Sequence, residues 1–300
     1  MRMWITVACL IISMAAISPS LVAQWPEVKT PNVPRTAAGE VDMQGPAPKT
    51  AAGKPDFTGI WAMARGGPAR GAAGAPPAGG PRGGAGRGGG QRGAAPAAPA
   101  GPPVASFANV GAGYPGGLPM QPWAEELVRK RKGDNSKDNP DAHCLPMGFM
   151  QFHTHPQPRK IVQTPDILLI IYEANSGLRQ IFTDGRPLPG KDADPWWYGY
   201  SVGKWDGDAL VVETTGFLDR DPLWLDIQGT PLTEAAKVTE KFRRPNFGSM
   251  EIDITVDDPK AYTAPWTVRV NWRAMVDTEL IEFICEERDA THYVGAGETK

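Results

Sequence analysis

The chain has 300 residues, enough for one large or two small domains. Its 31 basic and 33 acidic residues leave a net charge of −2, which excludes the basic footprint of a nucleic-acid-binding protein. Charged residues make up only 21%, and much of the excess among 35 Gly and 31 Pro sits in one segment, so regular structure must be concentrated elsewhere.

The N-terminus reads MRMWITVACLIISMAAISPSLVAQWP. Arg2 gives a positive start, Trp4 to Ile17 form an apolar run, and Leu21-Val22-Ala23 stand before a cleavage point at Gln24. This layout predicts a signal peptide over residues 1–23 and a periplasmic or secreted protein. An uncleaved anchor fits less well, because the run falls short of the roughly 20 residues a spanning helix needs. Cys9 leaves with the signal peptide. Cys144 and Cys285 then form an even pair in an oxidising compartment and are expected to bond to each other. Two separate buried thiols are the alternative.

Residues 24–63 hold one strand-like piece, PDFTGIWAMA. From 64 to 103 every residue is Gly, Ala, Pro or Arg apart from Gln91, a composition that builds no core and predicts a disordered insertion. Its arginines (Arg65, Arg70, Arg82, Arg87 and Arg92) meet no acid there, so it reads either as a solvated insertion or as a weak envelope-binding arm. Residues 104–300 make up the expected barrel domain. One short helix opens it, from about Pro122 to Lys132, with Pro first, acids in the first turn and bases after.

Eight β-rich runs follow: KIVQTPDILLIIYEA, RQIFTDGR, YSVGKWDG, DALVVETTGF, AAKVTEKFRR, SMEIDITVDD, WTVRVNWRA and ELIEFICEE. Turn signals such as Asp184-Gly185 and Asp206-Gly207 separate them. Their regular spacing predicts a mainly β fold, an antiparallel up-and-down barrel or strongly curved sheet. Met250, Ile252, Ile254 and Val256 share one face, as do Trp266, Val268, Val270 and Trp272, so these strands have one dry and one wet side.

Three carboxylates fall on apolar faces: Glu173 in register with Ile167, Leu169 and Ile171, Glu240 with Val238 and Phe242, and Glu282 with Leu280 and Ile284. A buried carboxylate needs a partner, and Arg179 is a natural one. Together they are candidate general acids or bases with an orienting cation. The alternative is an ion pair that fixes strand register. In MQFHTHP, His153 and His155 would share a strand face and could hold a divalent metal with His143, His292 or a carboxylate as third ligand. Two ligands make no site, and no other cofactor is expected. GYSVG spells a nucleophile elbow around Ser201, but strand rather than helix follows it.

Aromatic residues crowd from Trp196 to Trp205, and Trp266 and Trp272 follow later. Trp196, Trp197, Tyr200, Trp266 and Trp272, with Arg186 and Asp226, are the expected lining of a ligand cavity; the alternative is that they fill the barrel.

The runs IVQTPDILLIIYE, RQIFTDGR, WWYGYSVGKWDGDALVVETTGF, WLDIQGTPLTEAAKVTEKFRR and ELIEFICEE, with DFTGIW upstream, resemble a large family of exported bacterial β-rich proteins. Gly59-Ile60-Trp61 also has the Gly-x-Trp spelling of lipocalins. The resemblance implies a periplasmic or secreted lipocalin-like barrel and brings no reaction with it. The family often carries His where this chain has Leu232. The expectation is therefore an exported barrel that binds a small hydrophobic, aromatic or sugar ligand. A hydrolase or lyase using Glu173, Glu240 or Glu282 is the first alternative, and an envelope structural protein the second.

Overall fold

The computed structural model describes residues 28–64, 101–218, 223–283 and 285. The expected signal peptide, most of the Gly/Ala/Pro/Arg insertion, Ile284 and His292 lie outside these residues.

Nine strands close into a barrel in the order β1 (Gly59–Met63), β11 (Trp266–Met275), β10 (Ser249–Asp257), β9 (Lys237–Asn246), β6 (Ala209–Thr215), β5 (Tyr200–Asp206), β4 (Leu178–Phe182), β3 (Ile167–Tyr172) and β2 (Arg159–Gln163). β1 pairs with both β11 and β2 and so forms the seam. It is a stave of the barrel, although the insertion separates it from every other strand. Closure removes the exposed edges that a sheet of this size would otherwise present. Two further strands, β7 (Leu223–Trp224) and β8 (Pro231–Leu232), pair as a separate ribbon.

The barrel departs from an up-and-down meander in two places. β4 and β5 are parallel, in register Ile181↔Ser201, so residues 183–199 carry the chain back along the barrel wall. β6 skips the β7–β8 ribbon and pairs with β9. The first β-rich run also splits in two. Thr164 closes a turn against Ile167, which makes β2 and β3 a hairpin.

ELIEFICEE, expected as the last strand, is irregular over its described residues. The cause is topological: β10 occupies one edge of β11 and β1 the other, so no edge remains for it. Asp277 turns the chain away with φ 53°, exchanging hydrogen bonds with Thr30. The segment ends at the Cys285–Cys144 disulfide.

Helix α1 (Pro122–Gly133) starts at Pro122 as its sequence implies and lies outside the barrel, indole Nε1 of Trp123 donating to the Lys260 carbonyl. Helix α2 (Phe149–Thr154) is different, for all six of its residues are buried. It packs Phe149, Met150 and Phe152 into the same apolar core as Trp61, Ile170, Phe242, Trp266 and Trp272. The barrel is thus plugged by one short helix. Gly148 leads into it, and a Cβ there would collide with the Trp224 carbonyl oxygen. Among the described residues no helix is long and apolar enough to cross a membrane.

The insertion leaves and re-enters at one place. The amide of Ala64 donates to the Asn271 carbonyl, and Ala105 donates to the carbonyl of Arg269, two residues away on β11.

Candidate functional site

Strand alternation decides which candidates enter the barrel. On β9, Val238, Glu240, Phe242 and Arg244 are buried while the residues between them are not, so Glu240 points inward. On β4, Arg179 and Ile181 point inward. On β5 and β6, Ser201 and Thr214 do the same.

These residues meet. Arg179 Nη1 donates to Glu240 Oε1 at 2.9 Å, and its Nη2 donates to Oε2, forming a two-pronged pair. Nη2 also lies 3.1 Å from Ser201 Oγ and from Thr214 Oγ1. His153 enters from α2, its Nε2 2.8 Å from Glu240 Oε1 and its Nδ1 2.9 Å from the Tyr172 hydroxyl. With the carboxylate ionised, Nε2–H donates to Glu240 and Tyr172 O–H donates to Nδ1. The result is a line of hydroxyl, imidazole and carboxylate.

Electrostatics set the protonation states. Burial is the largest effect on His153 and pushes the imidazole down to about 4; Glu240 pulls the other way, and Arg179 and Arg159 add to the fall. Burial alone would raise Glu240, but Arg179 and His153 together outweigh it and hold the carboxyl down to about 2. Burial raises the Tyr172 phenol, so it stays protonated. The centre is an ionised Glu–Arg pair beside a neutral imidazole and a neutral phenol.

Arg159 had no role from sequence and sits in the same interior, fully buried. Its Nη2 donates to the carbonyls of His155 (2.5 Å) and Gln157 (2.8 Å) and approaches that of Phe152 (3.4 Å), clamping the C-terminal end of α2. The guanidinium lies 4.8 Å over the Trp272 ring, and Trp272 Nε1 donates to the His153 carbonyl.

Other candidates lie elsewhere. Glu173 lies just past the end of β3, on which Leu168, Ile170 and Tyr172 point inward and the expected set Ile167, Leu169 and Ile171 points out. Its Oε2 accepts instead from the Ile281 amide. Glu282 is exposed. The three carboxylates therefore do not converge. His153 and His155 do not share a face, since α2 is helical where a strand was expected; His155 is turned to Asp141 at 3.8 Å and to the Phe107 ring. Among the described residues no three His, Cys, Asp or Glu are placed to hold a metal. Asp226 organises a loop, its carboxylate accepting from the amides of Val110 and Thr230 and from the Thr230 hydroxyl.

The aromatic set divides. Trp266 and Trp272, each 1% exposed, are packed in the core, Trp266 against Tyr262 and Trp272 against His153 of α2, rather than lining an open cavity. Trp197 is half-buried and donates to the Met147 carbonyl. Trp196 and Tyr200 lie outside the barrel, Trp196 39% exposed, with ring centroids 4.9 Å apart. Arg186 joins them, donating to Tyr200 Oη at 3.0 Å and to Asp184, with its guanidinium 3.9 Å over Phe182. Beside this cluster runs a groove of about 230 Å³, lined by Arg186, Pro187, Leu188, Val202, Lys204, Val211 and Glu213. Its floor is the outer face of β5 and β6, and Pro187 and Leu188 of the returning connection form a wall.

Signals for the missed interior residues were thin. Tyr172 shares the period-two face of Leu168 and Ile170, and Ser201 sits at an inward position of β5. Nothing in the spacing marks His153 as the partner of Glu240. Comparison of the chain with family models, with curated proteins and with solved structures finds no match in any of the three.

Proposed function

We propose that this chain is an extracytoplasmic β-barrel binding protein whose ligand seat is the outer groove beside Arg186, not the barrel interior. The observation that carries this reading is the division of the aromatic set. Trp266 and Trp272 are consumed by core packing, against Tyr262 and against His153 of α2, whereas Trp196 and Tyr200 stay outside the barrel beside Arg186, which also lines a groove with an apolar floor and a charged rim of Arg186, Lys204 and Glu213. At about 230 Å³ the groove is smaller than the roughly 300–1,000 Å³ of drug-sized sites, so it suits one sugar ring or one aromatic ring. The disulfide and the N-terminal pattern support the compartment.

A hydrolase or lyase reading would rest on the line Tyr172–His153–Glu240. Against it, His153 and Glu240 are completely buried, the phenol is made less acidic and the imidazole less basic, the reverse of an activated nucleophile and base.

The test is titration of the mature protein with monosaccharides and small aromatic acids, followed by tryptophan fluorescence, in wild type, Trp196→Ala and Arg186→Ala. Saturable binding lost in both variants, with unfolding midpoints unchanged, is the expected result. Binding retained in both variants, or no binding by wild type, overturns the outer groove as the seat.

A further inference from the structure

The interior around His153 does not balance its charge. Two guanidiniums, Arg159 and Arg179, act on the imidazole, and one carboxylate, Glu240, faces them. Glu240 is taken by Arg179 through both oxygens. Among the described residues no acid pairs with Arg159, which meets only carbonyl oxygens and the Trp272 face. Its Nε and Nη1 have no hydrogen-bond partner there, and the side chain is fully buried.

No change of protonation removes this excess. Burial lowers Arg159 only to about 10, so it stays protonated at neutral pH, and Tyr172 stays a neutral phenol. The carbonyls at the end of α2 occupy one guanidinium nitrogen of three. A water molecule would satisfy an N–H but not the charge. An uncompensated buried cation is among the least favourable features a fold can keep, so such groups are paired.

We propose that the plugged barrel holds one small monovalent anion, of chloride or formate size, against Arg159 beneath α2. The anion would complete a second ion pair beside Arg179–Glu240. This site is independent of the outer groove, and neither depends on the other.

The probe is chloride. Wild-type protein is dialysed into sodium gluconate, whose anion is too bulky for the interior, and chloride is titrated in at constant ionic strength. The expected result is a saturable rise in Tm of about 3–6 °C at ten times the half-saturating concentration. Arg159→Met should show no chloride-specific rise. Equal Tm in both salts, or the same rise in Arg159→Met, overturns the proposal. Should that variant not fold, wild-type crystals grown in bromide decide: an anomalous peak within hydrogen-bond distance of Arg159 supports the site, and its absence overturns it.

Discussion

Glu240 on β9 and Arg179 on β4 face each other through the barrel interior, joined by both carboxylate oxygens and both terminal guanidinium nitrogens. These strands are not neighbours, so the pair spans the lumen and does not merely reinforce one ladder. Removing one partner leaves the other charged and buried. Arg179→Met and Glu240→Leu should each cost about 3–5 kcal/mol in urea unfolding, and the double variant much less than their sum. Additive losses would show that the two groups are not coupled.

The pH dependence follows from the same centre. His153 has a folded value near 4 against an ordinary 6.5, so the unfolded chain binds its proton first. Stability is therefore full above about pH 6.5 and declines as pH falls toward 4, by roughly 3 kcal/mol over that interval. Glu240, held near 2 against 4.5, adds a further loss between those values. The two groups titrate as a coupled unit, so the measured curve belongs to the pair. Denaturant midpoints across pH 3–8 should show the slope, and His153→Gln should flatten it between pH 4 and 6.5. A wild-type curve flat over that interval would refute it.

The Cys144–Cys285 disulfide closes a loop of 141 residues. Chain entropy gives a stabilisation of about 4–5 kcal/mol for a loop of that length. Cys144 stands just before α2, so its loss should also loosen the plug. Replacing both cysteines with Ala should lower the unfolding free energy by that order and speed hydrogen exchange in 149–154 before exchange in β9 or β10. Unchanged exchange in α2 would separate the disulfide from the plug.

Ala64 and Ala105, on either side of residues 65–100, bond to carbonyls two residues apart on β11, a span of about 7 Å at strand spacing. A short Gly-Ser bridge can cover that gap. Deleting residues 66–99 in favour of four such residues should leave Tm within about 3 °C, because loop-closure entropy changes slowly with length. A large drop would mean that the insertion packs on the barrel.

The sequence revealed the β runs wherever one face is apolar and the other polar. Met250 to Val256 and Trp266 to Trp272 alternate cleanly, and their inner faces are as that alternation implies. It failed where both faces are apolar. Ile167 to Ile171 alternates with nothing, so the register of Glu173 was open, and it stands just past the end of β3, turned to the Ile281 amide. Helix α2 is six residues long, shorter than two helical turns, and carries no period to read. Hence the sequence offers His153 only as a metal-ligand candidate and carries no sign of its pairing with Glu240, 87 residues away. The parallel β4–β5 pair was equally hidden, since residues 183–199 hold no regular element to signal a return.

The seam at β1 governs the order of assembly. β1 needs β2 on one side and β11 on the other, and β11 is the last stave to leave the ribosome. Until then the growing sheet is an open arc with one stave unclaimed on its far flank and the lumen unsealed. Completion of the cylinder is thus a whole-chain event with long-range pairing, which places this protein among slow folders.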